Sequence, residues 1–175
     1  MLLSGIALAS KRKVIMKFGG YGFIVLFAAA AMVVFAGFPT KAAGAVSVTK
    51  IEESALDAKI GDQKNRLVMV FMAAWCTPCI DELPTLNKLY KKFKNQGLEI
   101  IGISIDLDGP DAMQPVISAM KIDFSVFWYG EKAVEKFALF AIPMMFLVKE
   151  GEVVERIHGR RSESFLNKKF RNFLK

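Results

Sequence analysis

Two apolar runs leave this chain few folds to choose from. RLVMVFMAA at residues 66–74 and LEIIGISID at 98–106 are each long enough for a strand, and neither alternates apolar with polar residues. A strand that is apolar at nearly every position is covered on both faces, as in the centre of a sheet flanked by helices. Between the runs, Ile80, Leu83, Leu86, Leu89, Tyr90 and Phe93 recur at helical spacing. Asp81 and Glu82 lie early in that stretch and Lys88, Lys91, Lys92 and Lys94 late, as a helix dipole favours. Gly97 is a natural stop.

The pattern continues on both sides. IEESALDAKIG, from residue 51, has the acidic start and terminal glycine of a short helix. GPDAMQPVISAMK at 109–121 predicts a helix with Pro110 in its first turn. FSVFWY predicts a strand, with Phe127, Trp128 and Tyr129 read as half-buried rather than as a docking site. EKAVEKFAL predicts a short helix, and PMMFLVKEGEVVERIHG two strands around Glu150-Gly151. SESFLNKKFRNFL predicts a final amphipathic helix capped by Ser162, its basic residues on a solvated face with at most a weak affinity for anionic headgroups. Alternation closed by a hairpin makes residues 51–175 an α/β domain with a mixed sheet.

Charge is uneven. Residues 1–45 hold five bases and no acid, residues 46–159 hold 13 bases and 16 acids, and residues 160–175 hold six bases and Glu163. The net +7 therefore comes from the two ends. A nucleic-acid binder would carry its positive charge across the folded domain, so that class is set aside. Residues 18–38, FGGYGFIVLFAAAAMVVFAGF, contain no charge. As a helix they would span roughly 31 Å, close to the apolar thickness of a bilayer. Residues 1–17 carry Lys11, Arg12, Lys13 and Lys17 ahead of this segment, and only Lys41 lies soon after it. The positive-inside bias then leaves the N-terminus in the cytoplasm and carries residues 39 onward across the membrane. The alternative is a cleaved signal, with Ala43 and Ala45 at the −3 and −1 positions and Met16 as a second candidate start. A span this long favours a retained anchor. Residues 39–50, small and polar, read as a linker.

The two cysteines, Cys76 and Cys79, are the whole complement. A bridge between them closes so small a loop that it removes little entropy from the unfolded chain, so it is a poor structural staple. Zinc needs four ligands, and the chain offers no third cysteine and one histidine, His158, of an ordinary surface or core kind. Redox exchange accounts for the spacing. Cys76 ends a strand where a helix begins, so helix N–H groups and the dipole lower its pKa, and Cys79 lies one turn on, placed to resolve a mixed disulfide. Pro78 shapes the turn without offering a donor. A copper-handling or partner-binding module using the dithiol as ligands is the alternative from another class.

Residues 50–173 resemble the thioredoxin superfamily, and within it the TlpA/ResA-like membrane-anchored thiol–disulfide oxidoreductases. Trp75-Cys76-Thr77-Pro78-Cys79 matches the motif W-C-x-P-C, and Glu82-Leu83-Pro84 the E-x-P beyond it, with Pro84 as the helix-kinking proline. AIPMMFLVKEGEVVERIHG, beginning Ala141-Ile142-Pro143, looks like the family's G-x-P-T-T-F-L-I-D-x-x-G-x-I stretch, a resemblance that makes Pro143 the cis-proline facing the cysteines. The resemblance implies a thioredoxin-like fold with an extra helix and strand between Cys79 and Pro143. It also implies substrate contacts at Trp75, Thr77, Pro78, Ile142 and Met144; for Trp75 a packing role is an equal alternative.

The departures shape the expectation. The buried aspartate of cytoplasmic thioredoxins would fall at Val70 and its lysine partner near Gly102, so Glu82 becomes the candidate proton acceptor for Cys79, the alternative being a solvated first-turn acid. Met144 and Met145 stand where threonines are usual and Ala141 where glycine is, predicting a more apolar substrate groove. The implied activity is reduction of disulfides in exported proteins, apocytochrome c among them, with re-reduction by an inner-membrane electron donor. The Cys76–Cys79 pair carries the electrons, so no cofactor or metal is expected. The domain is placed at the inner membrane facing the periplasm or cell exterior, or soluble there if the signal is cleaved. An oxidase or isomerase is the competing activity.

Overall fold

The computed structural model describes residues 46–64 and 66–175, which all belong to one compact unit. The basic segment 1–17, the expected span 18–38 and residues 39–45 of the expected linker lie outside the described residues. Among the described residues, no helix is long and apolar enough to cross a membrane.

The elements are β1 (Thr49–Lys50), α1 (Glu53–Gly61), β2 (Arg66–Met72), α2 (Thr77–Phe93), β3 (Leu98–Ser104), α3 (Pro110–Ala119), β4 (Ser125–Trp128), α4 (Lys132–Lys136), β5 (Met144–Lys149), β6 (Glu152–His158) and α5 (Glu163–Phe173). They form one sheet in the order β1-β4-β3-β2-β5-β6. The first four strands are mutually parallel, and β5 and β6 run antiparallel to their neighbours. The two apolar runs are therefore the two middle strands, as their composition requires. Between Cys79 and Pro143 the chain contains β3, α3, β4 and α4, which accommodates the expected extra helix and strand.

Alternation along β2 divides the core. Val68, Val70 and Met72 face a layer that contains Leu83, Leu86 and Leu89 of α2 and Leu166 and Phe170 of α5. Leu67, Met69 and Phe71 face the opposite layer, with Leu56 of α1 and Phe137 after α4. In β5 the same alternation sends Met145 and Leu147 to the α2 side and Met144, Phe146 and Val148 to the other. Val70 pairs with Gly102, the two positions where a buried Asp–Lys pair was absent from the sequence. A side chain at Gly102 would collide with the terminal methyl of Met72, so a thioether fills that space.

Packing also outweighs an unfavourable residue in α2. Pro84 lies inside the helix and removes a backbone donor, at a cost of about 3 kcal/mol. Leu83, Leu86, Leu89 and Phe93 are buried on the same helix, and each contributes roughly 1.5–3 kcal/mol. The buried Asn87 fastens it further, donating to the Lys121 carbonyl at 3.0 Å and accepting from the Asp123 N–H at 2.9 Å.

Two local expectations need correction, and two others stand. The linker does not extend to residue 50: Val48 is buried and donates its N–H to Gln114 Oε1 at 2.7 Å, and Thr49–Lys50 pairs with Phe127–Trp128. Those contacts are tertiary, and small polar residues advertise none of them. Asp81 and Glu82 do not serve the helix N-terminus, because α2 starts at Thr77 and its first turn holds no acid. The β5–β6 turn is as expected, with Glu150 at φ 56° and Gly151 at φ 80°, the left-handed pair of a two-residue hairpin. Ser162 caps α5, its Oγ accepting the Phe165 N–H at 3.3 Å.

Candidate active site

The site is assembled where β2 and β3 end. Ala73 to Trp75 carry the chain from β2 to α2, and Cys76 is the N-cap residue of α2 in an extended conformation. Cys79 donates its N–H back to the Cys76 carbonyl at 3.0 Å, and Ile80 does so at 3.1 Å. The cysteines are joined as a disulfide with Cα atoms 5.3 Å apart. Both are largely covered, Cys76 being 5% and Cys79 2% exposed. Cys76 stands at the mouth of the helix, where the dipole favours its thiolate, and both cysteines belong to the core cluster on the α2 side of the sheet. Thr77 and Pro78 are exposed, and Trp75 is 68% exposed, which puts its indole outside the core.

Pro143 is buried and its bond to Ile142 is cis. Its carbonyl accepts the Gly159 N–H at 2.8 Å, which ties this loop to the end of β6. Trp75 and Ile142 share an open depression of about 210 Å³ with Leu139 and Phe140. Met144 does not belong to this surface. It is fully buried in the layer opposite α2, because β5 alternation turns it away from the helix that carries the cysteines. Met145 is buried as well, so the apolar character of the groove comes from Trp75, Ile142 and Phe140 instead.

Glu82 is only 1% exposed, so it is not a solvated acid. It lies three residues beyond Cys79, which puts both on one face of α2. Oε1 accepts the Arg161 N–H at 2.7 Å, whereas Oε2 is buried with no hydrogen-bond partner. Burial pushes its pKa above the ordinary carboxylate range. The Arg161 N–H bond and the charges of Arg160 and Arg161 oppose the shift without cancelling it. A carboxyl in that state can hold a proton and has a vacant oxygen with which to take one.

A second buried carboxylate was missed by sequence reasoning. Asp106, 2% exposed, lies just past β3. Both its oxygens accept the Ala74 N–H, at 3.0 and 3.1 Å, and Oδ2 also accepts the Ser104 hydroxyl at 2.8 Å. Its carbonyl accepts the Trp128 indole N–H at 2.7 Å. Asp106 therefore holds the segment leading to Cys76. An acid ending an otherwise apolar run beside the cysteine strand was the available signal. His158, read as ordinary, stacks on Phe140 with ring centroids 4.6 Å apart. Among the described residues, no group of three or more His, Cys, Asp and Glu gathers into a metal cluster.

This arrangement supports two-electron exchange. In such exchange one sulfur of the pair bonds a partner sulfur and the other sulfur of the pair then displaces that partner, or the reverse. The sequence pattern of the AhpC/TSA family matches residues 40–157. The thiol–disulfide oxidoreductase ResA of Bacillus thuringiensis (strain Al Hakam) is 34% identical over 123 residues, covering 68% of this chain and 69% of the relative. The chain belongs to the AhpC/TSA family, as a ResA-type thiol–disulfide oxidoreductase. Solved structures share the architecture of this ResA-type protein. A thiol:disulfide interchange protein of the thioredoxin family from Chlorobium tepidum TLS superposes with a TM-score of 0.60 at 21% identity, covering 68% of this chain and 85% of its own. StoA from Bacillus subtilis gives 0.55 at 20%, covering 62% and 84%. At those identities the likeness establishes the thioredoxin-like fold. The Cys76–Cys79 pair is the redox centre of this ResA-type chain.

Proposed function

We propose that this oxidoreductase works in the reducing direction, outside the cytoplasm, on disulfides of exported proteins. The observation that carries the direction is the environment of Cys79. The sulfur is buried, and one turn away lies a carboxyl whose Oε2 has no donor. Both features disfavour a thiolate at Cys79. A dithiol whose ionised form is poorly stabilised gives up its electrons more readily, the reverse of a strong oxidant with a stabilised reduced form. The midpoint potential of the Cys76–Cys79 couple is expected to be more negative than about −230 mV. Equilibration with glutathione or dithiothreitol buffers measures it. A value at or above about −180 mV, in the range of disulfide isomerases, would replace this reading with the oxidase or isomerase alternative.

Haem-site cysteines of apocytochrome c are the substrate class that resemblance to the ResA-like branch favours, with an inner-membrane donor restoring the dithiol. Residues 18–38 supply the tether, since a charge-free stretch preceded by four bases has the length and flanks of a signal-anchor. The protein is expected to stay with membranes through alkaline carbonate washing. A soluble product whose N-terminus lies near Val46 would instead mark a cleaved signal.

A further inference from the structure

We propose that the end of the domain farthest from the disulfide docks on anionic phospholipid headgroups, through exposed bases at the C-terminal ends of α2, α3 and α5. The inference rests on the signal-anchor reading of residues 18–38 and adds what the tethered domain binds.

Sheet topology brings the three helix ends together. α2 links the parallel strands β2 and β3, so it starts beside Cys76 and ends about 25 Å away, where those strands begin. α3 makes the same return between β3 and β4. Just past α3, the Lys121 carbonyl accepts the Asn87 side chain of α2 at 3.0 Å. α5 runs alongside α2 in the same direction. Arg160 meets Asp81 at 3.4 Å, then Glu163 meets Lys88 and Asn167 meets Lys92, both at 2.7 Å.

Six exposed bases lie on these helix ends: Lys92, Lys94, Lys121, Lys168, Arg171 and Lys175. Among the described residues none of the six forms an ion pair. The neighbouring acids are engaged elsewhere, Asp123 by Lys91 at 2.8 Å and Glu163 by Lys88. Other charges at this end of the sheet cancel: Lys59 pairs with Glu99 and Arg66 with Glu150, while Lys64 and Lys149 offset Asp62 and Glu152. A helix dipole favours a base at each end. It does not decide where the ends meet, and their meeting builds a like-charged surface that an anionic one complements.

The described chain enters at this same end. β1 is parallel to β4 with Thr49 opposite Phe127, and three residues earlier the Val46 carbonyl accepts Gln114 Nε2 of α3 at 3.2 Å. With residues 18–38 in a bilayer, only residues 39–45 precede Val46, and seven residues reach at most about 25 Å. The tether therefore delivers the basic end to the headgroups at high effective concentration. Each base within a Debye length of about 8 Å of an anionic leaflet raises the docked population roughly five-fold. α5 alone offers the weak affinity its sequence suggests, whereas three helix ends on a short tether act together. Docked this way, the domain holds Cys76 roughly 25 Å from the headgroups, open to exported substrates.

The test uses the full chain in lipid nanodiscs of phosphatidylcholine, with or without phosphatidylglycerol, and follows lysine acetylation by mass spectrometry. Lys92, Lys94, Lys121, Lys168 and Lys175 are expected to react roughly three- to ten-fold more slowly in the phosphatidylglycerol discs. Raising salt from about 0.1 M to about 1 M is expected to abolish the difference. Lys50 and Lys132, at the disulfide end, are expected to react alike in both discs. Replacing Lys92, Lys94 and Lys168 together by Gln is expected to equalise Lys121 and Lys175 between discs and to leave the rate with glutathione disulfide unchanged. Equal labelling of the wild-type protein in both discs, or an unaltered lipid effect in the triple variant, would overturn the docking and leave the tether and the redox chemistry standing. Slow labelling of these lysines in both discs would show that a second copy covers this end, and would also overturn it. A cellular product beginning near Val46 would remove the tether reading. Salt-sensitive sedimentation of that product with phosphatidylglycerol vesicles would then support the surface, and its absence would overturn it.

Discussion

A Glu82→Gln variant is expected to form the Cys76 mixed disulfide with substrate at the wild-type rate or faster, and to release it roughly 10- to 100-fold more slowly. Release requires Cys79 as thiolate, and its buried setting raises the pKa of a thiol. No aspartate lies behind it, since Val70 and Gly102 occupy those positions and the Met72 methyl fills the space over Gly102. Glu82 is the buried carboxyl on the same helix face, with Oε2 unpaired and ready to accept the proton directly or through one water. When ionised it also disfavours the thiolates, which is why its removal does not slow the first attack. Gln retains an oxygen for the Arg161 N–H, so the tether to α5 survives. Quenching with acid and separating the mixed disulfide from free enzyme measures the two steps. Wild-type turnover by the variant between pH 6 and 8 would assign the proton to another acceptor.

The same residue gives a signed pH effect on stability. Burial raises the folded-state pKa of Glu82 above its unfolded value, so the folded protein holds the proton more tightly. The stabilisation is present at low pH, and it is lost as pH rises from about 4.3 through the raised folded value. Urea unfolding across that interval is expected to show this loss in wild type and its absence in Glu82→Gln.

Asp106→Ala is expected to cost about 2–4 kcal/mol of folding stability and to slow attack by Cys76. The substitution leaves the Ala74 N–H and the Ser104 hydroxyl without the acceptor that now serves both, in a buried site. Hydrogen bonds to a charged group contribute about 1.5–3 kcal/mol each, part of which local rearrangement recovers. Ala74 lies two residues before Cys76, whose own N–H is held by the Ala73 carbonyl at 3.1 Å, so slack at Ala74 reaches the nucleophile. Asp106→Asn keeps one acceptor oxygen and is expected to recover most of both losses. Unfolding within about 0.5 kcal/mol of wild type, the range of a neutral surface change, would show that the carboxylate does not hold the loop.

Much of the framework was legible before any contact was known. Continuous apolar runs as short as these, seven to nine residues, read as strands covered on both faces, so β2 and β3 and their helical layers were legible from composition and length. The heptad-like recurrence from Ile80 to Phe93 marked α2, and the spacing of Cys76 and Cys79 at its start marked the chemistry. Pro143 came from resemblance to a family and not from physical reading. The two-residue strand β1 was illegible, because Val48 and Thr49–Lys50 are ordered by Gln114 and by β4, residues far away in the chain.

The candidate site divides along the same line. Local sequence determined that two thiols lie one helical turn apart at a positive dipole end, since that needs only a strand, a turn and a helix in succession. It also determined that a strand through Met144 and Met145 would alternate between faces. Tertiary structure alone decided that α2 covers the Met145 side, so that Met144 is core and the groove takes its apolar wall from Phe140. It decided in the same way that Glu82 is buried under the Arg161 backbone and that Asp106 reaches Ala74. Sequence sets the period of a side chain along its own element. Which neighbour that side chain meets, and whether water remains beside it, depends on how separate elements pack across the sheet.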